Sequence, residues 1–168
     1  MKNVELKLIS ELMKNSRRSD RDLAKAMGVS QPTVTRIRTK LEKEGCIKEY
    51  TMIPDFRKIG YELLALTFVN LRKVVTPEEA EKAREITKNV LKNELFEAVM
   101  AERGIGLGYT GLLISFHKDY ASHLNFIQWL KQFTFLEIHK IDSFLVSLAD
   151  EIRYRPLTFS TLAEHLLT

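Results

Sequence analysis

The stretch Ser19–Gly45, SDRDLAKAMGVSQPTVTRIRTKLEKEG, constrains the fold more than any other part of this chain. It predicts two short amphipathic helices joined by a tight corner at Gly28. Ser19 and Ser30 each stand where a hydroxyl accepts hydrogen bonds from the free N–H groups of a helix start. Gly28 suits the left-handed conformation in which many helices end, and Pro32 falls in a first helical turn, where its missing N–H costs nothing. This pattern is that of a helix-turn-helix, which places its second helix in the DNA major groove.

The second of these helices has one apolar side and one polar side. At about 100° per residue, Val34, Ile37 and Leu41 fall together and are expected in the core. The opposite side carries amide, hydroxyl and cationic groups, which suit base edges and phosphates. The predicted DNA-binding residues are Gln31, Thr33, Thr35, Arg36, Thr39 and Lys40. The predicted phosphate contacts are Arg17, Arg18, Arg21 and Lys43. The alternative is an ordinary solvated helix surface.

Charge is distributed unevenly along the chain. Residues 1–60 hold 14 Lys and Arg against 8 Asp and Glu, whereas residues 61–168 hold 12 against 14. Such an asymmetry is expected of a phosphate-binding module at the N-terminal end. No apolar run approaches the roughly 20 residues of a membrane span, and the charged N-terminus does not resemble a signal peptide. We therefore expect a soluble, cytoplasmic protein that makes no membrane contact.

Two further elements complete the N-terminal module, residues 1–60. A first helix is predicted over Val4–Lys14, with its apolar residues on one face. After Gly45, Ile47–Ile53 alternates between apolar and polar residues and stops at Pro54, which predicts the strand of a wing. Cys46 is the only cysteine, so neither an intramolecular disulfide nor a cysteine-based metal site is expected.

From Tyr61 the pattern alternates between strands and helices. The predicted strands are Glu62–Leu71, Phe96–Ala101, Leu112–Phe116 and Leu136–Leu148, and the predicted helices are Pro77–Lys92, capped by Thr76, and Tyr120–Phe133. The order βαββαβ predicts an α+β chain whose second domain, residues 61–152, is ferredoxin-like, with both helices on one face of an antiparallel sheet. The other face is apolar, so we expect a second copy to cover it in a homodimer or larger homo-oligomer.

The glycine-rich run Gly104–Gly108 is a candidate ligand site. A phosphate-binding loop needs a helix start after its glycines, but a strand follows here, so a turn between two strands is the favoured interpretation. Glycine also lets a small molecule approach the backbone, and the candidate effector residues are Gly106, Gly108 and Tyr109. The four histidines show no metal-ligand spacing and no catalytic constellation stands out. We expect neither a metal, a cofactor nor an enzyme activity.

The N-terminal module resembles the leucine-responsive/asparagine regulator (Lrp/AsnC, or feast/famine) family of transcription factors. The resemblance covers about residues 4–62, with the corner Gly28-Val29-Ser30, then Leu41-Glu42, Gly45-x-Ile47 and Lys58-Ile59-Gly60. It implies a winged helix-turn-helix followed by a βαββαβ regulatory and assembly (RAM-type) domain. It also implies dimers that often assemble further, and in many members an amino acid bound between dimers.

The second half departs from that family pattern at two places. The family usually has an aspartate three positions after the glycine that enters the third strand, and here Gly108 is followed by Tyr109-Thr110-Gly111. The tail, residues 153–168, is longer than the family needs, and it predicts a short amphipathic helix suited to docking on a partner subunit. The residues of its apolar side are Leu162, Ala163, Leu166 and Leu167.

Two other functions stay open at this point. Sirohaem decarboxylases share the two-part architecture, but they carry a His-Asn-Tyr-x-Arg type segment where this chain has Phe96–Arg103, without the histidine and tyrosine. A co-regulator that binds DNA only together with a paralogue is the other alternative. One sequence does not distinguish assembly with a paralogue from self-assembly.

Overall fold

The computed structural model describes residues 1–71, 98–132, 137–150 and 155–167, together with Glu78, Glu81 and Glu85. Contacts divide the chain into two compact units. One unit, here called the head, comprises Met1–Pro54 and the tail after residue 152. The other, here called the sheet unit, comprises Asp55–Ile152. The predicted helix Pro77–Lys92 lies outside the described residues except for those three glutamates, which are helical.

Three helices form most of the head: α1 (Asn3–Lys14), α2 (Asp20–Met27) and α3 (Gln31–Lys43). They confirm the three helices predicted from the sequence. Their apolar faces meet in one core, which includes the three α3 residues expected there. The buried apolar side chains of this core are Leu8, Leu12, Leu23, Ala24, Met27, Val34, Ile37 and Leu41.

The helix ends follow the predicted caps. The Ser19 hydroxyl accepts a hydrogen bond from the Asp22 amide at 3.2 Å, and the Ser30 hydroxyl accepts one from the Thr33 amide at 3.4 Å. Gly28 ends α2 with φ of 69°, in the left-handed region that favours glycine. These local bonds satisfy N–H groups that a helix start leaves free. They set the angle at which α3 leaves the corner.

The predicted strand Ile47–Ile53 is wrong, because the structure shows no strand in this segment. Alternation describes two faces of an extended chain, but a strand also needs a neighbouring edge to pair with. Here the Thr51 carbonyl accepts a hydrogen bond from the Ser16 side chain at 3.1 Å rather than from a partner strand. Ile47 packs against the head core and Tyr50 contacts α3.

A short tail helix, α5 (Ser160–His165), packs on α1 of the same chain. The Ser10 hydroxyl donates a hydrogen bond to the Ala163 carbonyl at 2.8 Å, and both residues are fully buried. The expectation was a helix that docks on a partner subunit. In the structure its small residue faces the chain's own head, while Leu162 and Leu167 stay exposed.

The sheet unit contains four antiparallel strands: β1 (Leu63–Leu71), β2 (Ala98–Gly106), β3 (Tyr109–His117) and β4 (Ile138–Ser147). Their spatial order is β2-β3-β1-β4, which is the order of a ferredoxin-like split unit. Strands β2 and β3, which form a hairpin, are both longer than predicted. Because Leu107 and Gly108 form a two-residue turn with positive φ, they let the hairpin pair up to its tip.

The sheet has one covered face and one open face. Helix α4 (Tyr120–Lys131) packs near β3, with Phe126 and Leu130 buried beside Val69 and Leu113. The side chains of the opposite, open face are mostly apolar and only partly buried or exposed, except Phe116, against which the Phe56 ring stacks at 3.9 Å. They include Leu64, Leu66, Phe68, Leu112, Ile114, Phe144 and Val146. Among the described helices, none has the length and apolar character needed to cross a bilayer.

Candidate nucleic-acid interface

The outer side of α3 presents the side chains predicted to meet DNA. Gln31, Thr35, Arg36, Thr39 and Lys40 are exposed, and Thr33 is half-buried. The helical phase therefore places this set away from the core, as the sequence predicted. Near the end of α3 an open depression of about 470 Å³ is lined by Arg36, Thr39, Lys40, Lys43 and Glu44. Three cations against one carboxylate make it suited to a phosphate.

Lys40 has a second role within the head. Its ammonium lies 2.7 Å from Glu5 of α1 and 3.7 Å from Glu44. Glu5 is almost fully buried and also accepts a hydrogen bond from the Lys2 amide at 2.7 Å. The hydrogen bond with Lys40 lowers the pKa of Glu5, and the same bond raises the pKa of Lys40. Lys40 thus ties α3 to α1, a role that its exposed helical position did not indicate.

Two of the hydroxyls on α3 already have partners within the head. The Thr35 hydroxyl donates to Asp20 of α2 at 2.6 Å and lies 3.2 Å from the Gln31 carbonyl. The Thr33 hydroxyl shares a hydrogen bond with Ser30 at 2.8 Å. The orientations of these two threonines are therefore fixed within the head. Their methyl groups and free lone pairs are the parts available for contact.

Arg38, which the sequence did not single out, joins three parts of the head. Its guanidinium lies 2.5 Å from Asp20 and 3.4 Å from the Tyr50 hydroxyl, with Tyr50's ring centroid 5.6 Å away. The same hydroxyl donates to Glu42 at 2.7 Å. Burial alone would lower the pKa of Arg38, but Tyr50 and the charge of Asp20 outweigh it and raise that pKa. The one sequence feature that could have singled out Arg38 is its position next to Ile37, at the edge of the apolar side of α3.

The predicted phosphate contacts fall into two groups. Arg18 donates to Glu11 of α1 and to the Asp22 carbonyl at 3.3 Å, so it fastens α1 to α2. Burial alone would raise the pKa of Glu11, but hydrogen bonds from Lys14 and Arg18 outweigh it and lower that pKa. The other predicted phosphate contacts, Arg17, Arg21 and Lys43, are exposed.

The candidate effector residues lie at one end of the sheet unit. Gly106 and Gly108 flank the hairpin tip as predicted, and the Gly108 carbonyl accepts a hydrogen bond from Asn70 at 2.6 Å. The turn leads into β3 rather than into a helix, which confirms the hairpin interpretation over a phosphate loop.

Tyr109 stands in an exposed polar cluster, here called the hairpin cluster. Its hydroxyl donates to Asp142 and accepts from Lys140 at 2.7 Å. Lys140 also lies 2.8 Å from Asp142, and Phe68 lies 5.5 Å from the Tyr109 ring centroid. The hydrogen bond from Lys140, followed by that from Tyr109, lowers the pKa of Asp142. In the part of the chain that the structure describes, no three His, Cys, Asp or Glu side chains are grouped as metal ligands.

Comparison with known proteins supports the assignment of the head as a helix-turn-helix module. A family model described as winged helix-turn-helix DNA-binding matches residues 1–48. An uncharacterized HTH-type transcriptional regulator of Pyrococcus abyssi, PYRAB00690, is 36% identical over 103 residues, which are 61% of this chain and 64% of that protein. The HTH-type transcriptional regulator LrpC of Bacillus subtilis is 42% identical over 57 residues, 34% of this chain and 40% of its own length. The match thus spans less than two thirds of the length of these relatives.

The fold of the whole chain has solved counterparts as well. The transcriptional regulator NMB0573 of Neisseria meningitidis, solved as a complex with L-Met, superposes with a TM-score of 0.70 at 20% identity. The superposition covers 96% of this chain and 99% of that one. It shows that the head and the antiparallel sheet unit occur together in one fold.

Proposed function

The chain belongs to the Lrp/AsnC family of transcriptional regulators, and from this premise we propose that it binds operator DNA through α3 as a homodimer or larger homo-oligomer. The observation that carries the proposal is the outer side of α3, where Arg36 and the neighbouring polar side chains are exposed beside a cationic depression. A helix-turn-helix dimer places two such helices in successive major grooves, about one turn or a multiple apart.

Each group on this surface has a distinct expected contribution. Arg36 and Gln31 suit guanine and adenine edges, because guanidinium and amide groups bind them bidentately. Arg17, Arg21 and Lys43 are proposed to contact phosphates, which fixes register without reading sequence. Lys40 contributes less than its charge suggests, because Glu5 already pairs with it at 2.7 Å.

The test is a DNA-binding titration across salt concentrations. The probe is a duplex selected from a random library by repeated binding to the wild-type protein, compared with a scrambled duplex. We expect Arg36→Ala to weaken binding to the selected duplex about 5- to 150-fold, as for loss of one base contact. Lys131→Ala, on α4 of the sheet unit, is the matched control and should leave affinity unchanged. Equal binding by wild type and Arg36→Ala would show that α3 does not enter the groove.

Self-assembly is proposed from the open sheet face. Leu66, Ile114 and Phe144 lie in register at its centre, with Phe144 65% exposed. Contiguous apolar surface of this kind is typical of a protein interface. Phe144→Lys should shift the mass measured by light scattering toward the monomer, whereas Leu107→Lys at the exposed hairpin tip should not. A wild-type monomer that needs a second protein to bind DNA would favour assembly with a paralogue.

We also propose that a small-molecule effector binds at the hairpin cluster. The solved relative that contains L-Met motivates an amino acid as the first class to test. Lys140 and Asp142 carry the opposite charges that a zwitterion requires, although position 111 lacks the acidic residue usual in the family. Calorimetric titration with the twenty amino acids should show binding that Tyr109→Ala weakens at least tenfold. No heat from any of them would argue against an amino-acid effector.

Regulation of transcription is favoured over enzyme activity. The relatives are named as transcriptional regulators, and the head keeps the exposed cationic surface that a tetrapyrrole enzyme does not need. Incubation with sirohaem followed by absorption spectroscopy separates the two, because only a tetrapyrrole site shifts the Soret band.

A further inference from the structure

Arg38 differs from the other cations of α3 in where its charge is used. Its side chain is only 18% exposed, and Asp20, its partner on α2, is 22% exposed. Arg36 lies two residues earlier on the same helix and is exposed. One terminal nitrogen of Arg38 contacts Asp20 and the other contacts the Tyr50 hydroxyl, while its Nε is buried. Little of the guanidinium is therefore left for a phosphate.

The contacts of Arg38 link three segments that must keep a fixed arrangement. Asp20 is the first residue of α2, Arg38 lies in the middle of α3, and Tyr50 belongs to the segment that follows α3. Asp20 also accepts the Thr35 hydroxyl at 2.6 Å, so one carboxylate holds two side chains of α3. A planar guanidinium held at two sites resists rotation more than a single ammonium contact does. The network therefore opposes rotation of α3 about its own axis.

We propose that Arg38 is a positioning residue for DNA binding, which fixes the recognition helix through Asp20 and Tyr50 without touching the DNA. The proposal rests on the proposed function, because it presupposes that α3 enters the groove. It predicts that loss of Arg38 reduces affinity by misplacing other contacts. It also predicts that the number of phosphate contacts, and so the dependence of binding on salt, stays the same.

The experiment compares Arg38→Ala, Arg38→Lys, Asp20→Asn and Tyr50→Phe in the full-length protein, with Arg17→Ala as the matched phosphate-contact control. Affinity for the selected duplex is measured at several salt concentrations. We expect both Arg38 variants to lose tenfold or more, with an unchanged salt slope and a smaller loss on the scrambled duplex. Arg17→Ala should instead lower the slope by about 0.9 and weaken both duplexes alike. The double variant Asp20→Asn/Arg38→Ala should lose less than the sum of its single losses, because the two residues act as one unit.

Several outcomes would overturn the proposal. Full rescue by Arg38→Lys together with a lower slope for Arg38→Ala would mean that Arg38 binds a phosphate directly. Unchanged affinity in Arg38→Ala would mean that the network does not position α3. Should Arg38→Ala not fold, Tyr50→Phe decides: it removes one oxygen and should still weaken binding to the selected duplex at constant slope. Absence of DNA binding by the wild type would instead refute the proposed function, which no Arg38 variant can do.

Discussion

The two units differ in the kinds of side chains that they bury beneath their helices. The head core is formed by apolar side chains from α1, α2 and α3, with Leu8, Leu23 and Val34 fully buried, and beside it lie two buried polar residues, Ser10 and the ion-paired Glu5. In the sheet unit, the face toward α4 also buries Thr67, Ser115 and two histidines. There His117 bonds Ser115 at 2.8 Å, and His123 bonds Ser143 of β4 at 3.2 Å.

This difference shows that two kinds of core meet different requirements. An apolar core depends on volume and packing, and it tolerates changes of pH. A buried polar layer depends on every donor finding an acceptor, and it responds to protonation. Thr67 and Ser143, 3.1 Å apart, extend that layer across β1 and β4. Because the hydrogen bond with Lys40 lowers the pKa of Glu5, that buried carboxyl stays ionised between pH 7.5 and pH 5. Over this range the head is expected to respond mainly to lost volume, and the sheet unit also to acid.

The largest expected effect comes from truncating each core in turn. Leu23→Ala should destabilise the head by about 2–5 kcal/mol, and Phe126→Ala the sheet unit by about 3–5 kcal/mol. Both side chains are at most 1% exposed, so each substitution leaves a cavity. Differential scanning calorimetry should show each variant lowering mainly one transition. Leu162→Ala, at a 54% exposed leucine, is the control and should cost under about 0.5 kcal/mol. If both variants lower a single shared transition equally, the two cores do not unfold separately.

The next largest effect tests whether the tail belongs to the head. Ala163 is fully buried where α5 crosses α1, so Ala163→Leu should overpack the contact and cost about 1–3 kcal/mol. The loss should fall on the same transition that Leu23→Ala lowers. Glu164→Leu places the same side chain at the neighbouring exposed position, where it meets no packed core, and should have little effect. A loss confined to the sheet-unit transition would contradict the packing of α5 on the head.

Local features were readable from the sequence, and contacts between distant residues were not. The caps at Ser19 and Ser30 and the turn at Gly28 involve neighbours within three residues or so, and all three are as predicted. The helical periodicity of α3 likewise predicted that Arg36 is exposed and that Val34 is buried in the core.

Pairing partners and long side chains account for what sequence reasoning missed. Ile47–Ile53 has the alternation of a strand but no strand pairing, and alternation does not supply a partner. Lys40 and Arg38 reach residues 35 and 18 positions away, Glu5 and Asp20, and no local pattern records such contacts. The strand lengths of the hairpin depended on the turn at Leu107, whose φ of 54° is uncommon for a leucine.

The third largest effect is a difference between the two units in how their stability depends on pH. Burial, and next the charge of His123, lowers the pKa of His117 to about 4, and burial also lowers that of His123. The pKa of a histidine in the unfolded chain is about 6.5. Between that pH and about 4, the unfolded state therefore binds protons that the folded state does not bind. The stability that the sheet unit gains from burying these two neutral histidines is thus fully present above the unfolded pKa, and it is lost as the pH drops.

The measurement is the melting temperature of each transition between pH 7.5 and pH 5. The slope for each histidine is bounded by about 1.4 kcal/mol per pH unit, the limit for one proton. The sheet-unit transition should fall with acid, and His117→Gln/His123→Gln should flatten that fall. The head transition should change less over the same range. An equally steep fall in the double variant would assign the acid sensitivity to other groups.

The smallest expected effect compares one glycine in each unit. Gly28 has φ of 69° and an added Cβ would meet nothing within 4 Å, so any cost of Gly28→Ala comes from the backbone alone. The left-handed conformation costs a residue with a Cβ about 1–2 kcal/mol, and the head transition should fall accordingly. Gly104 in β2 also has open space and lacks a positive φ, so Gly104→Ala should be neutral or slightly stabilising in the sheet unit. Equal effects of the two substitutions would mean that chain entropy, rather than the strain of the α2–α3 corner, sets the cost, and the corner would then tolerate many residues at position 28.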